Sequence, residues 1–220
     1  MPISQGRGSD GRVADIALGK HGDALASALH GKYAEHTLRG EMFYASTIVA
    51  GLAIPISTTT APTVMLWNPG DSGVDCVLGR YTAAQASGDA VAANIGLVAV
   101  STLVSVGSNI ATGNLITAFA QNVLNTNTFN AKLNNGNRPK VKSSTQGTNT
   151  ITAGTWIKAL GRGWNSALAT SVLSGNVFDY DFDGEFVLPP GTAVHVAASA
   201  ASVALYSQTI SWYEIPATSS

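Results

Sequence analysis

Residues 185–196, with the sequence EFVLPPGTAVHV, carry the clearest fold signal in this chain. An apolar run leads into Pro-Pro-Gly-Thr at residues 189–192, and a second run of alternating apolar residues leaves it. Pro190 has a fixed φ and Gly191 tolerates a positive φ, so the pair fits the central positions of a tight turn. Such a strand–turn–strand unit, followed by the aromatic-rich run 203–215, is a common way to complete a jelly-roll sandwich. The pattern fixes local geometry and indicates no catalytic chemistry.

Short β-type runs of the same kind recur from Met42 onward, separated by Gly, Pro and Asn. Helical periodicity is almost absent, and strands do not alternate with helices as they do in a parallel α/β sheet. Eight or nine short strands at this spacing predict an all-β sandwich or barrel, and the C-terminal pattern favours a β-sandwich of jelly-roll type. The predicted strands are residues 43–56, 63–67, 74–81, 95–106, 115–124, 155–160, 177–188, 193–198 and 203–215.

Two segments depart from the strand pattern. Residues 1–40 mix glycine with charge, and we expect an extended arm there with one short helix at residues 23–30. Such an arm packs on its own domain or on a neighbour, or it is a floppy terminus. The sandwich domain, residues 41–220, is predicted to contain a long polar surface excursion at residues 125–150. The basic residues of this excursion are expected in a solvated loop or against an acidic neighbour: Arg138, Lys140 and Lys142.

The composition excludes several classes of protein. Charged residues make up 11% of the chain, against roughly 25% in a typical soluble domain. The apolar content of 45% is too high for a disordered chain. Lys and Arg number 12 and Asp and Glu number 13, so the basic surface that binds nucleic acid is missing. Because so few charges protect a free monomer poorly against association, we expect a protein that works in an assembly.

No segment is typical of a signal peptide or of a membrane span. Residues 1–22 are polar and glycine-rich and lack the apolar centre of a secretory signal. The longest uncharged apolar run, residues 91–106, is shorter than the roughly 20 residues needed to cross a bilayer. We therefore expect no membrane partner and synthesis in a reducing cytoplasm, where the single cysteine, Cys76, stays a free thiol.

Acidic and aromatic residues alternate in the segment DYDFDGEF at residues 179–186. On a strand the acids share one face and the aromatics share the other. Carboxylates are the ligands that Ca²⁺ prefers, and Asp179, Asp181 and Asp183 match the opening of a calcium loop. That loop needs a glutamate at its twelfth position, where this chain has Pro190. We therefore favour the other interpretation, an acidic solvent face that includes Glu185 and lies opposite an aromatic core face.

Nucleophilic and metal chemistry find little support elsewhere. Cys76 lies in a predicted strand without a local motif, which favours a buried structural thiol. No G-x-S-x-G elbow is present. Neighbouring histidines among His21, His30 and His36 are nine and six residues apart, unlike helix-borne metal ligands. His195 alternates with valines in a predicted strand, and we expect its side chain to face outward.

The segment Gly-Arg-Gly-Trp at residues 161–164 lacks the frame of a phosphate-binding loop. We interpret it as a tight turn that exposes Arg162 and Trp164, two residue types that dominate interface hot spots. A buried Trp164 is the alternative. We therefore expect no catalytic residues, no cofactor and no enzymatic activity.

Three segments carry a resemblance to a known group of proteins. Residues 29–46 (LHGKYAEHTLRGEMFYAS) look like the passage from an arm into a β domain, and residues 66–81 (LWNPGDSGVDCVLGRY) look like a strand–Asn-Pro-Gly–strand hairpin. Together with the segment FVLPPGTAVHV and the closing aromatic strand, they resemble accessory virion proteins of tailed bacteriophages, in the capsid decoration (cement) group. The resemblance implies a jelly-roll-like sandwich, homo-oligomers and no catalytic residues, but no counterpart of the excursion at residues 125–150.

These observations predict a structural virion protein, made in the host cytoplasm, that docks on a phage capsid and stabilises it. Its expected partners are the major capsid protein or neighbouring virion proteins, and further copies of itself in a trimer or dimer. The alternative is a tail- or fibre-associated sandwich that binds a receptor or a carbohydrate through Trp164, Trp212 and the acidic face. A polysaccharide depolymerase is less favoured, because it needs a separated carboxylate pair and the acids are concentrated on one strand.

Overall fold

A computed structural model of the chain describes residues 5–7, 13–15, 33, 36–37, 41–47, 49–59, 62–100, 115–116, 118–120, 140–143, 154–167 and 175–217. The chain divides into two compact units, residues 1–35 and residues 36–220. In the first unit, β1 (Gln5–Arg7) pairs antiparallel with β2 (Val13–Asp15). The short helix predicted at residues 23–30 lies outside the described residues.

Nearly all the regular secondary structure in the described part of the second unit consists of β-strands. Their bounds are β3 Met42–Ser46, β4 Leu52–Ala53, β5 Val64–Trp67, β6 Val74–Ser87, β7 Asp89–Ala90, β8 Ala93–Val100, β9 Leu115–Ile116, β10 Ala118–Ala120, β11 Lys140–Ser143, β12 Thr155–Gly163, β13 Ser166–Ala167, β14 Val177–Asp181, β15 Val187–Leu188, β16 Ala193–Ala198 and β17 Leu205–Pro216. The prediction of an all-β fold is confirmed.

The strands form two main antiparallel sheets. The first sheet has the order β10-β3-β17-β6-β14, with β15 added on β6 and β4 added on β17. The second sheet has the order β12-β8-β16-β5-β11-β9, and β13 and β7 form a separate pair. Of the nine strands with four or more residues, β3, β6, β14 and β17 lie adjacent in the first sheet, and β5, β8, β11, β12 and β16 lie adjacent in the second. Strands that follow one another in sequence therefore lie mostly in different sheets.

One apolar core is shared by the two sheets. Alternate residues of each strand face it, because successive side chains of a strand point to opposite faces of the sheet. The first sheet contributes aromatic side chains such as Phe43, Tyr81 and Trp212, and the second contributes aliphatic ones such as Leu97 and Val194. A core made from the inner faces of two sheets is the defining feature of a β-sandwich.

The two proline–glycine turns lie together at one end of the sandwich. Gly191 has a φ of 86°, as the sequence predicts for this turn, and its N–H donates to the Asn68 carbonyl at 2.9 Å. The buried Asn68 amide donates to the carbonyls of Val74 and Leu188, both at 2.8 Å. Each turn connects a strand of one sheet to a strand of the other, so the hairpin expected within residues 66–81 is wrong: β5 and β6 lie in different sheets. The hydrogen bonds of Asn68 therefore link these two connections, which we call the crossings between the sheets.

The excursion predicted at residues 125–150 contributes a strand to the second sheet. β11 pairs with β5 on one side and with β9 on the other, in a register that places Lys140 opposite Trp67. Lys140 and Lys142 therefore lie in a strand rather than in the expected loop. The unpaired backbone groups along the edge of β5 supply hydrogen-bond partners, and this pairing outweighs the low strand propensity of lysine. Arg138 lies outside the described residues.

Candidate functional site

The acidic segment follows the predicted alternation only as far as β14 extends. Asp179 and Asp181 are exposed, whereas Phe178 and Phe182 are buried. The strand ends at Asp181, and Asp183 lies in a turn with a φ of 52°. The Asp183 N–H donates to the Asp181 carboxylate at 3.0 Å, which closes the turn locally. The four acids therefore do not line one continuous strand face.

Two of these acids are engaged in ion pairs. The Asp179 carboxylate accepts two hydrogen bonds from the Arg80 guanidinium, with Nε at 2.6 Å from Oδ1 and Nη2 bound to Oδ2. These bonds hold the pKa of Asp179 below its usual value. Glu185 binds the Lys158 ammonium at 2.6 Å and raises the pKa of that lysine. Within the described ranges, no group of three or more His, Cys, Asp or Glu side chains could hold a metal ion.

The environment of the single cysteine is that of a buried core residue. Cys76 is completely buried in β6, as expected for a structural thiol. Burial raises the pKa of its thiol well above the ordinary value, and the nearby carboxylates of Glu214 and Asp75 raise it further. A nucleophilic cysteine needs a lowered pKa and access to substrate, so this thiol has neither property.

The prediction that the His195 side chain faces outward is wrong, because His195 is only 2% exposed. Its neighbours Val194 and Val196 face the shared core, and His195 points to the other side of the second sheet. There it lies directly opposite Met65, which belongs to a second, smaller apolar cluster. Both faces of β16 are therefore buried, and alternation alone did not reveal this. Desolvation lowers the pKa of His195 to about 4.

The other histidines provide no metal site in the described part of the chain. His36 contacts the Glu41 carboxylate at 3.0 Å, and its ring stacks on Tyr213 with 4.2 Å between the ring centroids. His21 and His30 lie outside the described residues.

The two tryptophans proposed for recognition have opposite environments. Trp212 is completely buried beside Phe43 in the core, so its assignment to a binding surface is wrong. Trp164 is 69% exposed, and the Arg162 guanidinium lies 5.9 Å from the centre of its ring. Arg162 lies within β12 and Trp164 directly follows its last residue, so residues 161–163 form the end of a strand rather than a turn.

Exposed apolar residues are concentrated where four connections meet at one end of the sandwich. We call this surface the loop end; it comprises residues 49–59, 88–92, 164–165, 175–177 and 199–204. Of the eight large apolar residues that are exposed in the described part, six lie here: Val49, Ile56, Val91, Trp164, Val177 and Val203. Their exposed fractions run from 41% to 91%. Large exposed apolar patches on soluble proteins commonly mark interaction sites.

Hydrogen bonds connect the segments of the loop end. The Asn165 side chain accepts from the Ala92 N–H at 2.6 Å, which joins two of the connections. Asn176 accepts from the Trp164 N–H at 2.9 Å and donates to the Trp164 carbonyl at 2.8 Å. The Ser202 hydroxyl donates to the Asp89 carbonyl at 3.1 Å. Trp164 is therefore held at its backbone, while its side chain remains exposed.

The sequence reveals only part of this surface. The Gly-Arg-Gly-Trp segment predicted that Arg162 and Trp164 are exposed, and both are. The valines were missed, because a single apolar residue in a connection is an ordinary feature of protein surfaces. Val91 and Val203 belong to different connections, and only the fold brings those connections to the same end of the sandwich.

Comparisons of the chain with protein-family models, curated proteins and solved structures find no match. Among the described residues, no helix is long and apolar enough to cross a membrane.

Proposed function

We propose that this chain is a structural subunit of a tailed-bacteriophage particle and that it docks on the capsid through the loop end. The observation that carries this proposal is the concentration of exposed apolar side chains on connections that hydrogen bonds tie together. Trp164 and Arg162 provide an aromatic–cationic pair of the type enriched at the centres of protein interfaces. The protein would be made in the host cytoplasm and would act in the virion.

The proposed fold of this subunit is a jelly roll. Support comes from the adjacent strand sets β3-β17-β6-β14 and β5-β16-β8-β12, whose members alternate between the sheets along most of the chain. A jelly roll is a double sheet of eight strands, and the architecture is common in viral capsid and lectin domains. Fold alone does not determine function, so the docking proposal depends on the exposed surface.

The proposal also includes self-association of the subunit as a dimer or trimer. A single small apolar contact binds weakly, whereas several linked copies on a symmetric lattice bind with much higher avidity. The net charge of -1 produces little repulsion between copies. The major capsid protein, or a neighbouring virion protein, would supply the apolar surface that covers Trp164.

Co-sedimentation with purified expanded phage heads that lack this protein tests the proposal. We expect the full chain to sediment with the heads and Trp164→Ala to bind at least about tenfold more weakly, as expected for loss of an aromatic interface anchor. The matched control is Val187→Ala, since Val187 is 50% exposed but lies outside the loop end. Failure of the full chain to bind, or equal binding of Trp164→Ala and Val187→Ala, contradicts the proposal.

The receptor- or carbohydrate-binding alternative keeps one specific observation in its favour, the exposed ring of Trp164. The second tryptophan of that alternative is not available at this surface, because Trp212 is completely buried in the core. If a glycan occupied the loop end, soluble glycan would protect Trp164 from quenching by acrylamide. Protection by a glycan, together with no binding to heads, would favour this alternative.

A further inference from the structure

The outer face of the first sheet carries an ordered set of polar side chains. The strand register places Ser46, Thr209, Thr82 and Asp179 directly opposite one another in one row across β3, β17, β6 and β14. The Ser46 and Thr209 hydroxyl oxygens are 2.8 Å apart and hydrogen-bonded. Neighbouring strands in a sheet are about 4.8 Å apart, so the row presents polar groups at a regular spacing.

A β-bulge forms a depression beside this row. Ile210 pairs with Tyr81 and Trp212 pairs with Leu78, so two residues of β6 lie opposite Ser211 of β17. The Ser211 hydroxyl accepts from the Arg80 N–H at 2.9 Å, which fixes it on the floor of the depression. The depression has a volume of about 320 Å³, and its walls are formed by polar and aromatic side chains: Tyr44, Arg80, Thr82, Thr209 and Ser211.

Beside this depression lie one guanidinium and two carboxylates, because Asp181 is exposed on the same face as Asp179 and lies opposite Arg80 in the strand register. Arg80 and Asp179 form a two-bond pair in which both side chains are about half exposed. A paired guanidinium and carboxylate present fixed donors and acceptors but no net charge. Among the described residues, no hydrogen-bond partner is found for the Thr82 hydroxyl beside them. The surface therefore offers donors and acceptors together, beside the ring of Tyr44.

We infer that this depression binds a neutral saccharide. Sugar hydroxyls both donate and accept, which matches the hydroxyl row and the paired ions, and the apolar C–H face of a sugar ring fits against the tyrosine. The volume of about 320 Å³ lies at the small end of ligand sites. It suits one or two sugar rings. A free anion would meet the carboxylates of Asp179 and Asp181, and an apolar ligand would bury hydroxyls without partners.

Titration of the isotope-labelled full chain with maltose, lactose, sucrose and N,N′-diacetylchitobiose, followed by amide NMR, tests this inference. At least one disaccharide should shift the resonances of Tyr44, Thr82 and Thr209. Thr82→Val removes a hydroxyl at nearly constant shape, and we expect it to weaken binding by about tenfold. Thr155→Val is the matched control, because Thr155 is exposed on β12 of the second sheet. The circular dichroism of both variants establishes that they are folded.

Any of the following results would overturn the inference. The first is that none of the four disaccharides shifts these resonances. The second is that sodium phosphate at the same ionic strength shifts them and the sugars do not, which identifies an anion site. The third is that the sugars shift Trp164 instead, or that Thr82→Val binds as the full chain does. Head co-sedimentation of Thr82→Val should equal that of the full chain, so the two proposals fail independently.

Discussion

The histidine at position 195 lies in an environment that suits only its neutral form. The pKa of His195 is lowered from an ordinary 6.5 to about 4, because burial removes water from the charged ring. Below pH 6.5 the unfolded chain binds a proton at this residue and the folded chain does not, until the pH approaches 4. The stabilising contribution is therefore complete above pH 6.5 and is lost as the pH falls toward 4.

The expected consequence is a pH-dependent free energy of unfolding that a single substitution removes. Between pH 7.5 and pH 4, we expect the chain to lose about 3 kcal/mol through this residue. His195→Leu cannot be protonated, so its stability should fall less over the same range. Urea unfolding at several pH values measures both curves, and the difference between them isolates His195 from the carboxylates. Parallel curves for the two proteins would show that the buried ring does not control this pH dependence.

His195 also shows where reasoning from alternation fails. A His between two valines predicts an outward side chain only if the second face of the strand meets water. On β16 both faces are buried, because Met65, Val100 and Ala193 form a second cluster outside the shared core. A strand that is buried on both faces typically has a continuous run of apolar residues in its sequence. One histidine in such a run is not enough to distinguish the two cases.

At the scale of elements, the two crossings between the sheets depend on one side chain. Asn68 donates to the carbonyls of Val74 and Leu188, and both bonds are buried. Asn68→Ala leaves these carbonyls without their donor, at a cost of about 1–3 kcal/mol for each buried unsatisfied group. We therefore expect about 2–5 kcal/mol of destabilisation in urea unfolding. The control is Asn165→Ala, in which one exposed bond to Ala92 is lost.

An Asn68→Ala variant no less stable than Asn165→Ala would contradict this role. In that case, water or a backbone shift would satisfy the two carbonyls, and the crossings would not depend on the amide.

The pairing of β8 with β12 depends on a glycine. A Cβ on Gly96 would overlap the ring of Trp156 and lie 2.6 Å from the Lys158 carbonyl oxygen. Gly96→Ala should therefore destabilise the chain by about 1–3 kcal/mol, through displacement of the indole and strain in the strand pair. Gly70→Ala is the control, because the nearest atom to its Cβ would be the Gly191 Cα at 4.0 Å. Thermal unfolding of both variants measures the difference, and equal melting temperatures would contradict it.

Most strands were predictable, and the exceptions have physical causes. The prediction for residues 193–198 matches β16 residue for residue, because Pro-Gly and Ser bound an apolar run. The strand expected at 74–81 continues to Ser87 as β6, because β17 pairs with it over nearly its whole length. The strand expected at residues 177–188 is broken by the turn at Asp183 and Gly184, both of which have positive φ. The residue composition of a segment therefore says little about where pairing with a distant strand extends it or where a turn interrupts it.

The candidate surface was less predictable than the strands. The exposure of Trp164 follows from a Gly-flanked segment, but its grouping with Val91 and Val203 requires the order of strands in both sheets. The hydroxyl row on the first sheet likewise depends on how the strands pair, so the sequence alone does not reveal it. Ser46 and Thr209 are 163 positions apart in the sequence, and their contact depends on the register of β3 with β17.

At the scale of the whole molecule, the two compact units differ in what they contain. Among the described residues, the shared core is built from side chains between Phe43 and Trp212, all in the second unit. The loop end also lies entirely in residues 36–220. A unit that contains its own core is expected to fold without the segment that precedes it. The role of residues 1–35 in docking can therefore be separated from their role in folding.

We expect a chain of residues 36–220 to unfold cooperatively in urea, with a free energy within about 1 kcal/mol of the full chain, because the core is retained. A chain of residues 47–220 is the control: it lacks β3, whose Phe43 and Ala45 belong to the core, and it should be strongly destabilised. If the loop end carries docking, residues 36–220 should also sediment with phage heads as the full chain does. Normal stability with loss of docking would assign the contact to residues 1–35 and contradict the loop end as the docking surface. Unfolding of residues 36–220 would instead show that the first unit supports the core, and would contradict the independence of the second unit.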